Sequence, residues 1–441
     1  METDFSKGSV IGSILKLAVP MTLAQLINVL YNVVDRMYIG RMPENATLSL
    51  TGLGLALPII TIVIAFANLF GMGGAPLFSI ARGAGDDEEA EHIMGNAFVL
   101  LISFGILLTL LGLLFKKLLL FLFGASESTF PYANDYITIY LLGSLFVMIG
   151  LGMNSFINAQ GFGKIGMLTV AIGAVANIIL DPIFIFGFNM GVQGAALATV
   201  ISQILSAIWI IKFLTGKKER VKKIVGLGLS GFIMAITNGA VQIVCNASLQ
   251  FYGGDLYVGV MTIINTVREL VTMPVLGVTN SAQPVIGYNY GAKAYSRVKT
   301  AIKFMSGACI LYTLVAWAVV HGFPAFFIQI FNHDEAIIQA GIPAMKIYFF
   351  GFFMMALQFA GQSVFVGLGK SKQAIFFSLF RKAIIVIPLT LVLPRLFGLN
   401  IAGVFMAEPI SNFIGGAACF ITMSMLIWPE LNQNKTFQQN I

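Results

Sequence analysis

Charge is what this chain has least of. Of its 441 residues only 10% are Asp, Glu, Lys or Arg, while 58% are hydrophobic, and a water-soluble domain does not cover its surface with so few charges. Histidine is as scarce. His92, His321 and His333 are scattered along the chain and offer no metal-ligand spacing. The three cysteines, Cys245, Cys309 and Cys419, fall in apolar stretches, which excludes a disulfide framework and makes them packing residues. The opening METDFSKGSV lacks a charged-then-apolar layout with a small-residue cleavage site, so the first apolar stretch is expected to be retained. GFGKIG and GLGKSK, the Gly-Lys segments, lack the spacing of a phosphate-binding loop. Neither an ATP-driven pump nor another enzyme is expected, and no residue stands out as catalytic.

What the chain has in excess is apolar length. Stretches of about 20 residues cross a bilayer core of about 30 Å, and twelve of them fall at 13–39, 50–80, 94–120, 132–158, 165–188, 191–214, 224–251, 257–285, 300–323, 337–367, 374–394 and 401–428. The expected fold is an all-α polytopic membrane protein with twelve transmembrane helices. The formal net charge of +7 does not point to nucleic acid, because the basic residues are sorted by side. One set of loops holds only Arg36, Arg41, Lys116, Lys117 and Arg395; the other gathers Arg82, Lys164, Lys293 to Lys303, Lys370, Lys372 and the segment TGKKERVKK at 215–223. By the positive-inside rule the second set, with both termini, is cytoplasmic.

The two halves repeat one another. PLFSIARGA at 76–84 aligns with PVIGYNYGA at 284–292, Gly161 to Lys164 with Gly367 to Lys370, and Pro182 with Pro388; Gly194, Ala198 and Ser202 align with Gly403, Ala407 and Ser411, at offsets of 206 to 209. The organisation read from this is a six-helix N-terminal lobe at 1–214, a basic cytoplasmic linker at 215–223, and a six-helix C-terminal lobe at 224–441. Six is even, so both copies enter the membrane in the same orientation and are expected to relate by a pseudo-two-fold axis along its normal. Two such bundles suit alternating access around a central site, which disfavours a passive channel.

An ionised side chain at bilayer depth costs about 2.5 to 3.5 kcal/mol on insertion scales, so each one asks for a reason. Asp35 lies near the end of the first span in YNVVDRMYIG, and a hydrated place at the outer interface would also account for it. In NIILDPIFIFG, Asn177 and Asp181 are four residues apart and share a helix face. Pro182 cannot donate to the Ile178 carbonyl and breaks the ladder there. At 1.5 Å per residue, Asp35, Asp181 and Thr199 all lie roughly 6 to 12 Å from the outer ends of their spans. They can form one oxygen-rich layer suited to Na⁺ or to shared protons. Pro20 is expected to kink the first span.

The second half does not duplicate this layer. Ile387 stands opposite Asp181, and Glu408 stands opposite Thr199, with Arg381 and Lys382 nearby and Arg268 and Glu269 as a further charged spot. Glu269, Arg381, Lys382 and Glu408 read as a charged network that either holds this lobe together or lines a substrate path.

VDRMYIG at 34–40, NAQGFGKIGM at 158–167, NIILDPIFIFG at 177–187, GVQGAALATVISQ at 191–203 and EPIS at 408–411 together make the whole chain resemble the multidrug and toxic compound extrusion (MATE) family, and within it the bacterial DinF-like branch. The resemblance implies a secondary antiporter, without cofactor or ATP, that exports cationic or lipophilic drug-like compounds in exchange for Na⁺ or H⁺. It implies a multi-pass protein of the bacterial inner membrane; separately, a monomer is expected. It assigns cation coupling to Asp35, Asn177, Asp181 and Thr199, adds Asn154 to the same network, and makes Pro20 and Pro182 hinges. The acids that the NorM-like branch carries in its seventh and tenth spans are missing, since those spans offer Asn238, Gln242, Asn246 and Gln358. A lipid-linked glycan flippase of the same superfamily is the alternative, although it would call for a more basic cavity.

Overall fold

The computed structural model describes residues 3–43, 45–214, 222–331, 333–396 and 398–438. The linker expected at 215–223 lies largely outside them. Among the described residues the secondary structure is helical throughout, as it must be where hydrocarbon cannot satisfy a free peptide group. The order begins α1 (Val10–Ile39), α2 (Ala46–Gly83), α3 (Asp87–Leu122), α4 (Phe130–Ala159), α5 (Gly163–Pro182) and α6 (Gly191–Phe213). It continues with α7 (Lys222–Gly291), α8 (Tyr295–Gly322), the short α9 (Pro324–Gln329), α10 (Glu335–Phe349) and α11 (Phe352–Gly367).

Two further spans follow, Ser371–Arg395 and Asn400–Asn432. Among the described residues ten helices are long and apolar enough to cross a membrane, and α10 with α11, bent by 44°, make an eleventh. The bend falls at Gly351, whose φ of 82° is a left-handed conformation that glycine alone adopts without strain. Gly254, at φ 66° and ψ −167°, an extended positive-φ conformation that is essentially glycine's alone, breaks α7. The helix ahead of that break holds the place of the seventh expected span.

Two compact units divide the chain: Met1–Asp4 with Val19–Phe232, and Phe5–Ala18 with Ile233–Ile441. A division at residue 214 would have put residues 5–18 in the first unit; the structure counts them in the second. α1 therefore passes from one unit to the other between Ala18 and Val19, one residue ahead of Pro20.

In the first unit Phe70, Leu101, Ile137, Leu141 and Phe156 are wholly buried. α2 and α4 meet so closely that a methyl group on Gly71 would lie 2.5 Å from the Gly152 carbonyl oxygen. Such backbone approach replaces the hydrophobic drive that lipid does not supply between helices. On α3, Leu114, Leu118 and Leu122 expose 72%, 66% and 73% of their surface; at four-residue spacing they form a stripe for lipid.

In the second unit, Phe5 is buried against Tyr288, with ring centroids 5.8 Å apart. The Arg297 guanidinium donates to the carbonyls of Phe5 (2.9 Å), Lys7 (3.4 Å) and Gly8 (2.9 Å) and to Asn289 Oδ1 (2.8 Å). Three charge-assisted bonds to backbone thus fix the start of the chain.

Candidate functional site

Helix geometry builds the first unit's polar layer. Asn177 and Asp181 lie one turn apart on α5, and the Asn177 amide donates to Asp181 Oδ1 at 3.3 Å. The same amide donates to Thr199 Oγ1 on α6, also at 3.3 Å. Asp35 comes in from α1, and its carboxyl neighbours that of Asp181, so that the charge of each acts on the other. Asp181 has no exposed surface, and Asp35, Asn177 and Thr199 are buried as well. The structure thus brings together the four residues that helix spacing and depth place in one layer.

Beyond Pro182 the backbone does not stop. It widens into a π-helical turn, Ile183–Gly187, closed by the Phe188 N–H on the Ile183 carbonyl at 2.9 Å. Single π turns recur at functional sites because they re-aim the side chains of the adjoining turn. α6 packs hard against this turn: a methyl group on Gly194 would lie 2.8 Å from the Phe184 carbonyl carbon. That approach, five residues before Thr199, sets the threonine beside Asn177.

Three oxygens in this layer, Asp35 Oδ1, Asn177 Oδ1 and Asp181 Oδ2, are buried without a hydrogen-bond partner among the described residues. Buried oxygens that accept nothing are costly. Two neighbouring carboxyls suit a proton shared between them, and with the Asn177 and Thr199 oxygens they equally suit a hard monovalent cation. The donor set fits either ion. Among the described residues no three His, Cys, Asp or Glu side chains are grouped so as to hold a metal ion.

Sequence reasoning missed the aromatic wall of this layer. Tyr31, one turn before Asp35, flanks both acids, and Tyr136 on α4 faces Thr199. Tyr136 and Tyr140 are buried and stack with ring centroids 6.3 Å apart. Their four-residue spacing on α4 was the available signal.

Asn154 is not part of the layer. Its Oδ1 would lie 3.2 Å from a methyl group on Gly166, and Gly166 precedes Asn177 by eleven residues of α5, about 16 Å along the axis. The antiparallel run of α4 beside α5 takes Asn154 toward the opposite end. Pro20 sits inside a continuous α1, at the change of unit described above.

In the second unit Glu408 is buried and fully engaged. Its Oε1 accepts from Arg381 Nη1 at 2.9 Å and from Lys382 Nζ at 3.1 Å, and its Oε2 accepts from the same ammonium at 3.2 Å. Arg381 also donates to Asn412 Oδ1 at 2.7 Å. Arg381 and Lys382 lie on a π turn, Phe380–Val386, and Asn412 opens another, Asn412–Gly416. Glu269 stands apart from this network. It is exposed on α7, while Arg268, about 100° round the helix, takes the inward face and lines a cavity with Lys382 and Glu408. Cys245, Cys309 and Cys419 are buried and unbridged.

The family model described as MatE matches residues 20–183 and 230–392, two stretches of nearly equal length. The chain belongs to the MATE family. It is accordingly a multi-pass membrane transporter and not an enzyme. The multidrug export protein MepA of Staphylococcus haemolyticus is 26% identical over 439 residues, covering 96% of this chain and 95% of its own. MepA of Staphylococcus aureus strain N315 is 26% identical over 436 residues, with the same coverage. Among solved structures, MATE in the bent conformation superposes with a TM-score of 0.90 at 22% identity, covering 98% of this chain and 97% of that one. An outward-facing multidrug resistance MATE family transporter gives 0.89 at 21% identity and 99% of both. These likenesses support the MATE fold along the whole chain.

Proposed function

We propose that this MATE protein is an antiporter of the bacterial inner membrane, with both termini cytoplasmic, that exports cationic or lipophilic drug-like compounds in exchange for inward Na⁺ or H⁺. The observation that carries the reading is the pair of neighbouring buried carboxyls, Asp35 and Asp181, each with an unpartnered oxygen, beside the unpartnered Asn177 Oδ1. The relatives' description as multidrug export proteins supports the substrate class.

When both acids are charged, closing water out of this layer is opposed by the cost of burying like charges. An incoming Na⁺ or H⁺ removes that cost, so binding and closure become linked. The Asn177 amide holds Asp181 and Thr199 at the spacing the ion needs, and its own oxygen remains as an acceptor. Pro20, where α1 changes unit, is the proposed hinge through which the state of Asp35 reaches the rest of the chain. Because the membrane potential contributes about 2.3 kcal/mol per charge per 100 mV, a net one-charge exchange supports roughly 50-fold accumulation per 100 mV.

Proteoliposomes preloaded with a cationic dye test the reading. An imposed inward Na⁺ or H⁺ gradient should drive dye transport, and the effective gradient names the ion. Transport that ignores both gradients would remove the antiport assignment.

A further inference from the structure

The second unit contains a cavity of about 90 Å³ between α7, α10 and the last two spans. That is room for several water-sized groups. Its polar wall is made by Gln242, Asn265, Arg268, Tyr348, Lys382 and Glu408, and the rest is largely aliphatic. Charge does not balance there. Glu408 is the one acid of the wall, and both of its oxygens are taken by Lys382 and Arg381. Arg268 is half-buried, and among the described residues its guanidinium has neither a hydrogen bond nor an ion pair. It lies in the field of Glu408 and Glu269 without a direct bond to either, and a cation without a direct partner at membrane depth is expensive and marks ligand pathways.

We infer that this cavity binds a small carboxylate, seated on the Arg268 guanidinium, with the Lys382 ammonium supplying a second positive charge behind it. The guanidinium presents two parallel N–H donors that match the two oxygens of a carboxylate. The Tyr348 hydroxyl and the amides of Gln242 and Asn265 provide further donors, and the aliphatic wall accepts a short apolar body. The first unit's layer is acidic and suits cations, so this would be a second site of opposite polarity. It goes beyond the antiport reading, and it is tested without any gradient.

The test uses the full-length purified protein in detergent. Thermal unfolding is followed by tryptophan fluorescence while sodium benzoate replaces sodium chloride at constant Na⁺, and a benzoate dissociation constant is measured by calorimetry. Benzoate is expected to raise the wild-type Tm progressively and to bind saturably, whereas chloride does neither. Arg268→Gln should weaken benzoate binding by at least about 30-fold, the lower range for truncating one member of a buried charge pair. Arg268→Lys keeps the charge and should retain part of the affinity, and Arg41→Gln, an equal charge change at an exposed site, should retain all of it. Without benzoate, Arg268→Gln is expected to unfold at or above the wild-type Tm, because a partnerless cation has been removed.

The inference is overturned if benzoate leaves the wild-type Tm unchanged, if chloride substitutes for it, or if Arg268→Gln binds benzoate as wild type does. A lower Tm for Arg268→Gln without ligand would show an arginine held by the protein itself, and would overturn it as well. None of these results depends on whether Asp35 and Asp181 couple transport.

Discussion

Asp181 and Glu408 occupy the same kind of place in their respective units. Each is a buried acid, each is followed by proline, and each stands within a turn of a π-helical widening, at Ile183–Gly187 and Asn412–Gly416. Their partners differ. Glu408 receives an ammonium and a guanidinium, while Asp181 receives one side-chain amide and faces another carboxyl. A carboxylate answered by fixed cations has little reason to exchange its partner. One answered by a neutral amide and a second acid leaves a place for a mobile positive charge. The backbone device is shared, and the neighbouring side chains decide whether it holds structure together or exchanges an ion.

The contrast breaks most visibly if the first pair is made neutral. Asp181→Asn, and separately Asp35→Asn, should reduce gradient-driven dye transport in proteoliposomes by about 100-fold, near the upper range of coupling free energies. Both proteins should still fold, with a Tm no lower than wild type, because a like-charge contact has been removed. The second unit should behave in the opposite sense. Glu408→Gln strands two buried cations, and a destabilisation of about 3 to 5 kcal/mol is expected, read as a drop in Tm and in the yield of monodisperse protein.

Smaller changes sharpen the difference. Asn177→Ala removes the amide that links Asp181 to Thr199 and should raise the half-saturating cation concentration about tenfold, equivalent to about 1.4 kcal/mol. Thr199→Val keeps the shape and removes a single oxygen, so a shift of about two- to fivefold is expected in the same assay. If the two substitutions shift it equally, the amide is no more than a spacer.

Much of this architecture could be read before any coordinates. Twelve apolar lengths and the repeated Gly, Pro and Ala positions indicate a two-lobe helical membrane protein, because hydrocarbon thickness and the need to satisfy every peptide group leave few choices. The grouping of Asp35, Asn177, Asp181 and Thr199 follows from a four-residue spacing and a depth estimate, both properties of an ideal helix. What escaped depends on packing. Asn154 and Asn177 look equivalent as intramembrane amides, yet the antiparallel course of α4 and α5 separates them by a distance that no single-helix argument supplies. Arg268 and Glu269 differ by one position, and only the observed rotation of α7 shows which of them lines the cavity. The tyrosines around the acids carry no charge to draw attention, and the π turns lie within a few residues of Pro182, Pro388 and Pro409 but are not written in any spacing.

The Arg297 clamp on Phe5, Lys7 and Gly8 sets a condition on the order of assembly. Its donors and acceptors are separated by 289 to 292 residues of chain, so Phe5, Lys7 and Gly8 are clamped only after nearly 300 further residues have been made. Thr3 can bond the Gly161 carbonyl well before that, at 3.1 Å in the folded protein, so the two ends of this short segment are fixed at different stages. A contact of such long range closes slowly, and a fusion partner attached ahead of Phe5 would interfere with biogenesis before it interfered with transport.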